Sequence, residues 1–167
     1  GEDGIGSAAL AFEHSDVASN IASPTHPVDA MRQPYADLVV DLVTAPATGL
    51  SGSPIQVSWN VTNNGIGPTD QTTWYDDVFI SPDPAGSGWR SLGSFTHASP
   101  LGVGDSYSRS VEVTLPADAS GTQYIFVRTG GPFEFIYTTN NTNRSDPVAV
   151  TFVPPPQVDL QVVVVTG

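Results

Sequence analysis

The chain has no cysteine and no lysine among its 167 residues. Without cysteine there is no disulfide framework, no thiolate zinc site and no thiol nucleophile. Without lysine, five arginines are the whole cationic complement against 17 Asp and Glu, and the net charge is −12. So acidic a chain repels nucleic acid and anionic membrane surfaces, which removes both from the expected partners. No apolar run approaches the roughly 18 residues of a membrane-spanning helix, so no membrane insertion is expected. No stretch carries the 3.6-residue period of a capped amphipathic helix.

The means of catalysis are equally thin. There are three histidines, His14, His26 and His97. No Gly-x-Ser-x-Gly elbow and no phosphate-cradling glycine loop is present, and no pair of acids stands out for glycoside hydrolysis. The chain is expected not to be an enzyme and to need no cofactor, with calcium as the one alternative. It opens on Gly1 with no leader segment, which suits a processed protein or a piece of something longer.

What is present is β-forming sequence and turn chemistry. Hydrophobic residues make up 39%, with 16 Gly and 15 Pro, too apolar for a disordered acidic tail and too rich in turn formers for a helical bundle. In Ile55–Thr62 the apolar residues Ile55, Val57, Trp59 and Val61 alternate with polar ones, the period of a half-buried strand. Thr73–Ser81 sets Trp74, Asp76, Val78 and Ile80 on one face and Tyr75, Asp77 and Phe79 on the other. Tyr107–Leu115 alternates again, through Tyr107, Val111, Val113 and Leu115. Gln123–Thr129 is apolar on both faces, as a central strand would be, and its inward parity is open: Ile125 and Val127, or Tyr124 and Phe126. Asp37–Thr44 and Pro147–Val153 are outer candidates. Asn63-Asn64-Gly65, Asp83-Pro84, Gly102-Val-Gly104-Asp105 and Pro116-Ala-Asp118 are turn signals between them. About seven short strands so punctuated predict an all-β, antiparallel sandwich of immunoglobulin or fibronectin-III type.

The chain also repeats itself. FEHSDVASN at Phe12–Asn20 returns as FEFIYTTNN at Phe133–Asn141, 121 positions on. His26-Pro-Val28 returns as Asp146-Pro-Val148. ADLVVDLVTA at Ala36–Ala45 returns as VDLQVVVVTG at Val158–Gly167, identical at five of ten positions. Three matches in one order and at nearly one period divide the chain. Residues 1–34 read as the closing segment of a preceding repeat with its linker, and 35–153 as one complete sandwich. Residues 154–157 are a Pro-rich linker, and 158–167 the first strand of a following repeat.

Across 35–153 the order ADLVVDLVTAP, IQVSWNVTNNG, WYDDVFISPD, LGSFTHASPLGVGDSYSRSVEVTLP and the late Phe-Glu…Asn-Asn resembles the CARDB family of bacterial extracellular sandwich modules. The resemblance implies tandem modules on large secreted or surface-bound proteins, often beside adhesins or extracellular hydrolases. One position departs: family members often carry Asp at the end of the long apolar strand, where this chain has Gly130.

Three groups of residues are candidates for function. Asp76, Asp77 and Asp83, with Asp70, Glu134, Asn140 and Asn141, supply oxygens of the kind calcium takes. Their spacing fits no EF-hand, and solvated turn residues are the other reading. Asp76 stands apart, because its parity turns it inward, where it would need an arginine or backbone amides. Trp89, after Gly86-Ser-Gly88, is the candidate for an exposed carbohydrate platform, whereas Trp59 and Trp74 read as core. Leu160, Val162 and Val164 belong to an apolar strand that must pair, within the next repeat or by addition to a neighbouring subunit.

The expected function is a non-catalytic structural and adhesive module of a bacterial extracellular or surface fibre, built from tandem or strand-exchanged sandwiches. Its expected partners are neighbouring copies of the repeat and a cell-surface glycan or protein receptor. The alternative is a calcium- or carbohydrate-binding accessory of a secreted hydrolase.

Overall fold

The computed structural model describes residues 34–135 and 138–156. The segment before residue 34 and the stretch with Leu160, Val162 and Val164, expected to be a strand, lie outside the described residues. Among those described there is no helix. There are nine strands: β1 (Leu38–Thr44), β2 (Thr48–Leu50), β3 (Pro54–Asn63), β4 (Thr73–Ser81), β5 (Arg90–Ala98), β6 (Ser106–Thr114), β7 (Gly121–Gly130), β8 (Thr142–Arg144) and β9 (Val148–Thr151).

They form two sheets. One has the order β1-β3-β6, antiparallel throughout. The other runs β2-β9-β7-β4-β5, and β8 adds to β7. One edge of β7 pairs with β4; its other edge takes β9 at Gly121–Gln123 and then β8 at Phe126–Arg128. The β2–β9 pairing is parallel. This is the immunoglobulin-like sandwich that the alternation predicts.

The inward residues of the two sheets make one core. Val57, Trp59 and Val61 from β3 meet Trp74, Val78 and Ile80 from β4 and Ile125 and Val127 from β7, all essentially without solvent contact. Burying a large apolar side chain completely contributes about 1.5–3 kcal/mol, so this layer dominates the favourable side of folding. The open parity of β7 resolves toward Ile125 and Val127. Phe126 is buried as well, on the opposite face, under Trp89.

Three strands were not legible as such. β5, RSLGSFTHA, has no fully buried position and is held by its ladder to β4. β2 and β8 are three residues each. A register shift in β1 between Val40 and Leu42 moves the inward set from Leu38 and Val40 to Val43 and leaves Leu42 61% exposed.

The two sheets meet along the side where β1 lies beside β7 and β8. Val40 N–H donates to the Asn140 carbonyl at 3.1 Å, and Asn143 Nδ2 donates to the carbonyls of Val40 and Asp41 at 2.9 and 3.2 Å. The β3–β4 connection packs under the incoming chain at Tyr35–Asp37. Any Cβ on Gly65 would collide with the Tyr35 carbonyl and the Asp37 amide, which is why glycine stands there.

Candidate functional site

Between the sheets sits a polar cluster inside the apolar core. Asp76 has no solvent contact. One of its carboxyl oxygens accepts the Trp59 indole N–H at 2.9 Å, the other the Tyr107 hydroxyl at 2.7 Å. Trp74 Nε1 donates to the Tyr107 oxygen at 3.3 Å, and Thr129 Oγ1 stands 3.4 Å from it. The inward parity of Asp76 is as the alternation required. Its partners are not: an indole and a phenol take the place of the expected arginine or backbone amides. Burial first, and the Asp76 charge next, push the Tyr107 phenol well above its ordinary value, so it stays a proton donor at any ordinary pH.

His97 closes this cluster, stacked on Tyr107 with ring centroids 3.8 Å apart and tilted against Trp74 at 4.4 Å. Burial lowers its pKa, against the Ser99 carbonyl contact and the Asp76 charge, which favour the cation. Arg109 spans the neighbouring edge, its Nη2 donating to the Thr96 carbonyl of β5 at 2.7 Å. The polar groups of Asp76, Trp59, Trp74 and Tyr107 are occupied by one another, while Arg109 Nη1 is buried without a partner, and no nucleophile is paired with a base. The cluster serves packing and register.

A second polar plug is Asn63, wholly buried at the end of β3. Its Oδ1 accepts the amides of Asp37 and Gly65, both at 3.0 Å. Its Nδ2 donates to the carbonyls of Gly67, Leu101 and Gly102 at 3.0, 3.2 and 3.2 Å. Read as a turn residue, Asn63 is instead the tie between three chain segments. The signal was available, since the inward parity of Ile55, Val57, Trp59 and Val61 continues to residue 63.

The seven acids and amides considered for calcium do not form one site. Asp76 and Asp77 are adjacent in β4 and point to opposite faces. Asp77 pairs on the outer face with Arg128 at 3.1 Å and accepts from Ser94 at 2.7 Å. Asp83 lies beyond the other end of β4. There it caps its own turn through the amides of Ala85 and Ser87, and its contacts around Ser87 and Ala85 lower its pKa. Of these, Glu134, Asn140 and Asn141 come close together, at the start of β1. Among the described residues no three His, Cys, Asp or Glu side chains converge in the manner of a metal centre. Asp70 accepts the Phe133 amide at 2.8 Å.

Trp89 is half-buried rather than an open platform. The positive φ of Gly86 and Gly88 folds the connection back, and the ring lies on Phe79 at 4.9 Å and Phe126 at 5.3 Å. Arg128 covers the same Phe79 ring at 5.2 Å. Trp89→Ala is expected to cost about 1–2 kcal/mol from lost area and stacking. Urea unfolding checks this; an unchanged midpoint would mean that the ring does not contribute to the fold.

No family model matches the chain, and no curated protein matches it. The sandwich is similar to the CARDB domain of a Pyrococcus furiosus protein, crystallised in complex with di-metal ions. The TM-score is 0.52 at 16% identity, over 74% of this chain and 100% of that one. The fold is CARDB-like. A solution structure of the same domain has a TM-score of 0.49 at 16% identity, over the same shares. A β-glucosidase from Listeria innocua has a TM-score of 0.45 at 15% identity, over 82% of this chain and 21% of that one.

Proposed function

We propose that the chain is a non-catalytic, adhesion-related module of a bacterial surface or secreted fibre, one complete CARDB-like sandwich joined to like neighbours. The observation that carries this is where the repeated residues fall. In β1, Leu38, Val40 and Val43 are core residues exposed by 0, 2 and 4%. All three recur at the corresponding places of the last segment, as Leu160, Val162 and Val165, together with Asp159 for Asp37 and Thr166 for Thr44. A recurrence that keeps the buried positions of a strand is what a second sandwich of the same kind requires. On this reading the bulge of β1 would recur there, with Val165 as the third inward residue and Val164 at the place of the exposed Leu42. Neighbours would be joined within one polypeptide or by strand addition between subunits. The ligand would be a cell-surface glycan or protein.

Val162→Asp in the parent protein is expected to uncouple neighbouring units while the sandwich at 35–153 keeps its melting temperature. Val164→Asp is expected to be tolerated. Thermal unfolding beside negative-stain images reads both. A Val162→Asp protein whose central sandwich unfolds would place that strand in the sandwich's own core and sink the repeat reading.

A further inference from the structure

Among the described residues, three buried side-chain oxygens have nothing donating to them, and all three belong to the connection between β7 and β8: Glu134 Oε2, Asn140 Oδ1 and Asn141 Oδ1. Buried acceptors are almost always satisfied, and orphans gathered in one place call for a missing water or ion. This connection is also held in place. The Asn140 carbonyl accepts from Val40 and the Asn141 carbonyl from Thr129 at 2.9 Å, while Glu134 Oε1 accepts the Leu38 amide at 2.9 Å. Asn140 Nδ2 reaches Asp37 Oδ1 at 2.7 Å. The backbone at Asn140 and Asn141 and the Glu134 carboxyl are therefore tied to β1 and β7.

The Asp37 carboxylate lies close enough to Glu134 for their charges to repel, and the Asn141 side chain lies beside the same carboxyl. Asn141 itself is only 8% exposed, and its amide oxygen lacks a partner. Two carboxyl groups and two amide oxygens thus share a half-buried corner. The donor set is oxygen alone, without the nitrogen or sulfur that selects transition metals.

The repeat adds an independent observation. Of these residues, Glu134 corresponds to Glu13, Asn141 to Asn20 and Asp37 to Asp159. Most of the faint word shared by FEHSDVASN and FEFIYTTNN is not apolar core but these oxygen donors and the Phe beside them. We propose that Asp37, Glu134, Asn140 and Asn141 bind a divalent cation, calcium by its chemistry, clasping the start of β1 to the β7–β8 connection. Backbone carbonyls and water would complete the six to eight oxygens calcium takes. The comparison with Glu13, Asn20 and Asp159 rests on the repeat reading; the site within 35–153 does not.

The test is thermal unfolding and titration calorimetry of the full chain, stripped with chelator and then given millimolar calcium chloride. Calcium is expected to raise the melting temperature and to bind with heat. Glu134→Gln keeps the acceptor for Leu38 but removes the charge. It is expected to weaken binding by about tenfold or more, while the chelated variant melts no lower than the chelated parent because the repulsion with Asp37 is gone. Asn141→Ala is expected to lose the response as well, and Asp77→Asn and Asp83→Asn to keep it. No response in the parent would mean that water fills the corner, and would overturn the proposal. So would a full response in both Glu134→Gln and Asn141→Ala, or an equal rise with sodium chloride at matched ionic strength, which would be screening of the net charge. None of these outcomes bears on whether neighbouring repeats are coupled, which the Val162→Asp experiment reads separately.

Discussion

Asp76→Ala is expected to destabilise the sandwich by about 3–4 kcal/mol, because it strands two buried donors at once. The Trp59 indole and the Tyr107 hydroxyl aim at Asp76 from β3 and β6, strands of the opposite sheet, at 2.9 and 2.7 Å. For a sandwich of this size the melting temperature should fall by about 10 °C. Asp76→Asn keeps the shape and one acceptor but turns a donor toward a donor, so a loss of about 1–2 kcal/mol is expected. Tyr107→Phe should cost a similar amount by removing one donor from the carboxyl. Chemical and thermal unfolding followed by tryptophan fluorescence measures all three. Should Asp76→Ala melt within a degree or two of the parent, the cluster would be a passenger of the core and not one of its ties.

Asn63→Asp is expected to be as damaging, about 4 kcal/mol, through the opposite error. The amide nitrogen of Asn63 faces the carbonyls of Gly67, Leu101 and Gly102, and an aspartate would set an oxygen against all three. Asn63→Ala leaves the same groups unpartnered without the repulsion, and about 3 kcal/mol is expected. The order of the two variants is the informative result. If alanine proved worse than aspartate, the volume of the side chain and not its donors would be what the site needs. The damage should be felt at the mouth of the sandwich, where Asn63 ties the incoming segment at Asp37 to two loops.

Alternation alone carried the reading of the core. It placed Val57, Trp59, Val61, Val78 and Ile80 inward, and it turned Asp76 inward with them. It could not name the partners of Asp76, because contacts across the two sheets depend on how they stack, which no single strand encodes. β5 escaped because an edge strand with no fully buried position has no period to read. Trp89 was misplaced because Gly86 and Gly88 looked like an exposed tip, whereas their positive φ values turn the ring back onto Phe79. The acids of β4 and its flanks were grouped with Glu134, Asn140 and Asn141 by their chemistry as oxygen donors. Neighbours on a strand face apart, while Asp37 and Glu134, almost a hundred residues distant, come to one corner.

The parallel pairing of β2 with β9 bears on a chain that is pulled. Thr48–Leu50 lies beside Ala149–Thr151 in the same direction, and the Ser51 amide bonds the Thr151 carbonyl at 3.0 Å while the Ala149 amide bonds the Ala47 carbonyl at 2.9 Å. Tension entering from the amino-terminal side draws β2 one way, and tension leaving by the carboxyl-terminal side draws β9 the other. The bonds between them then lie across the line of force and share it, instead of opening one after another like a zipper. A sandwich strung between two anchors would yield there only when the whole short ladder slides at once.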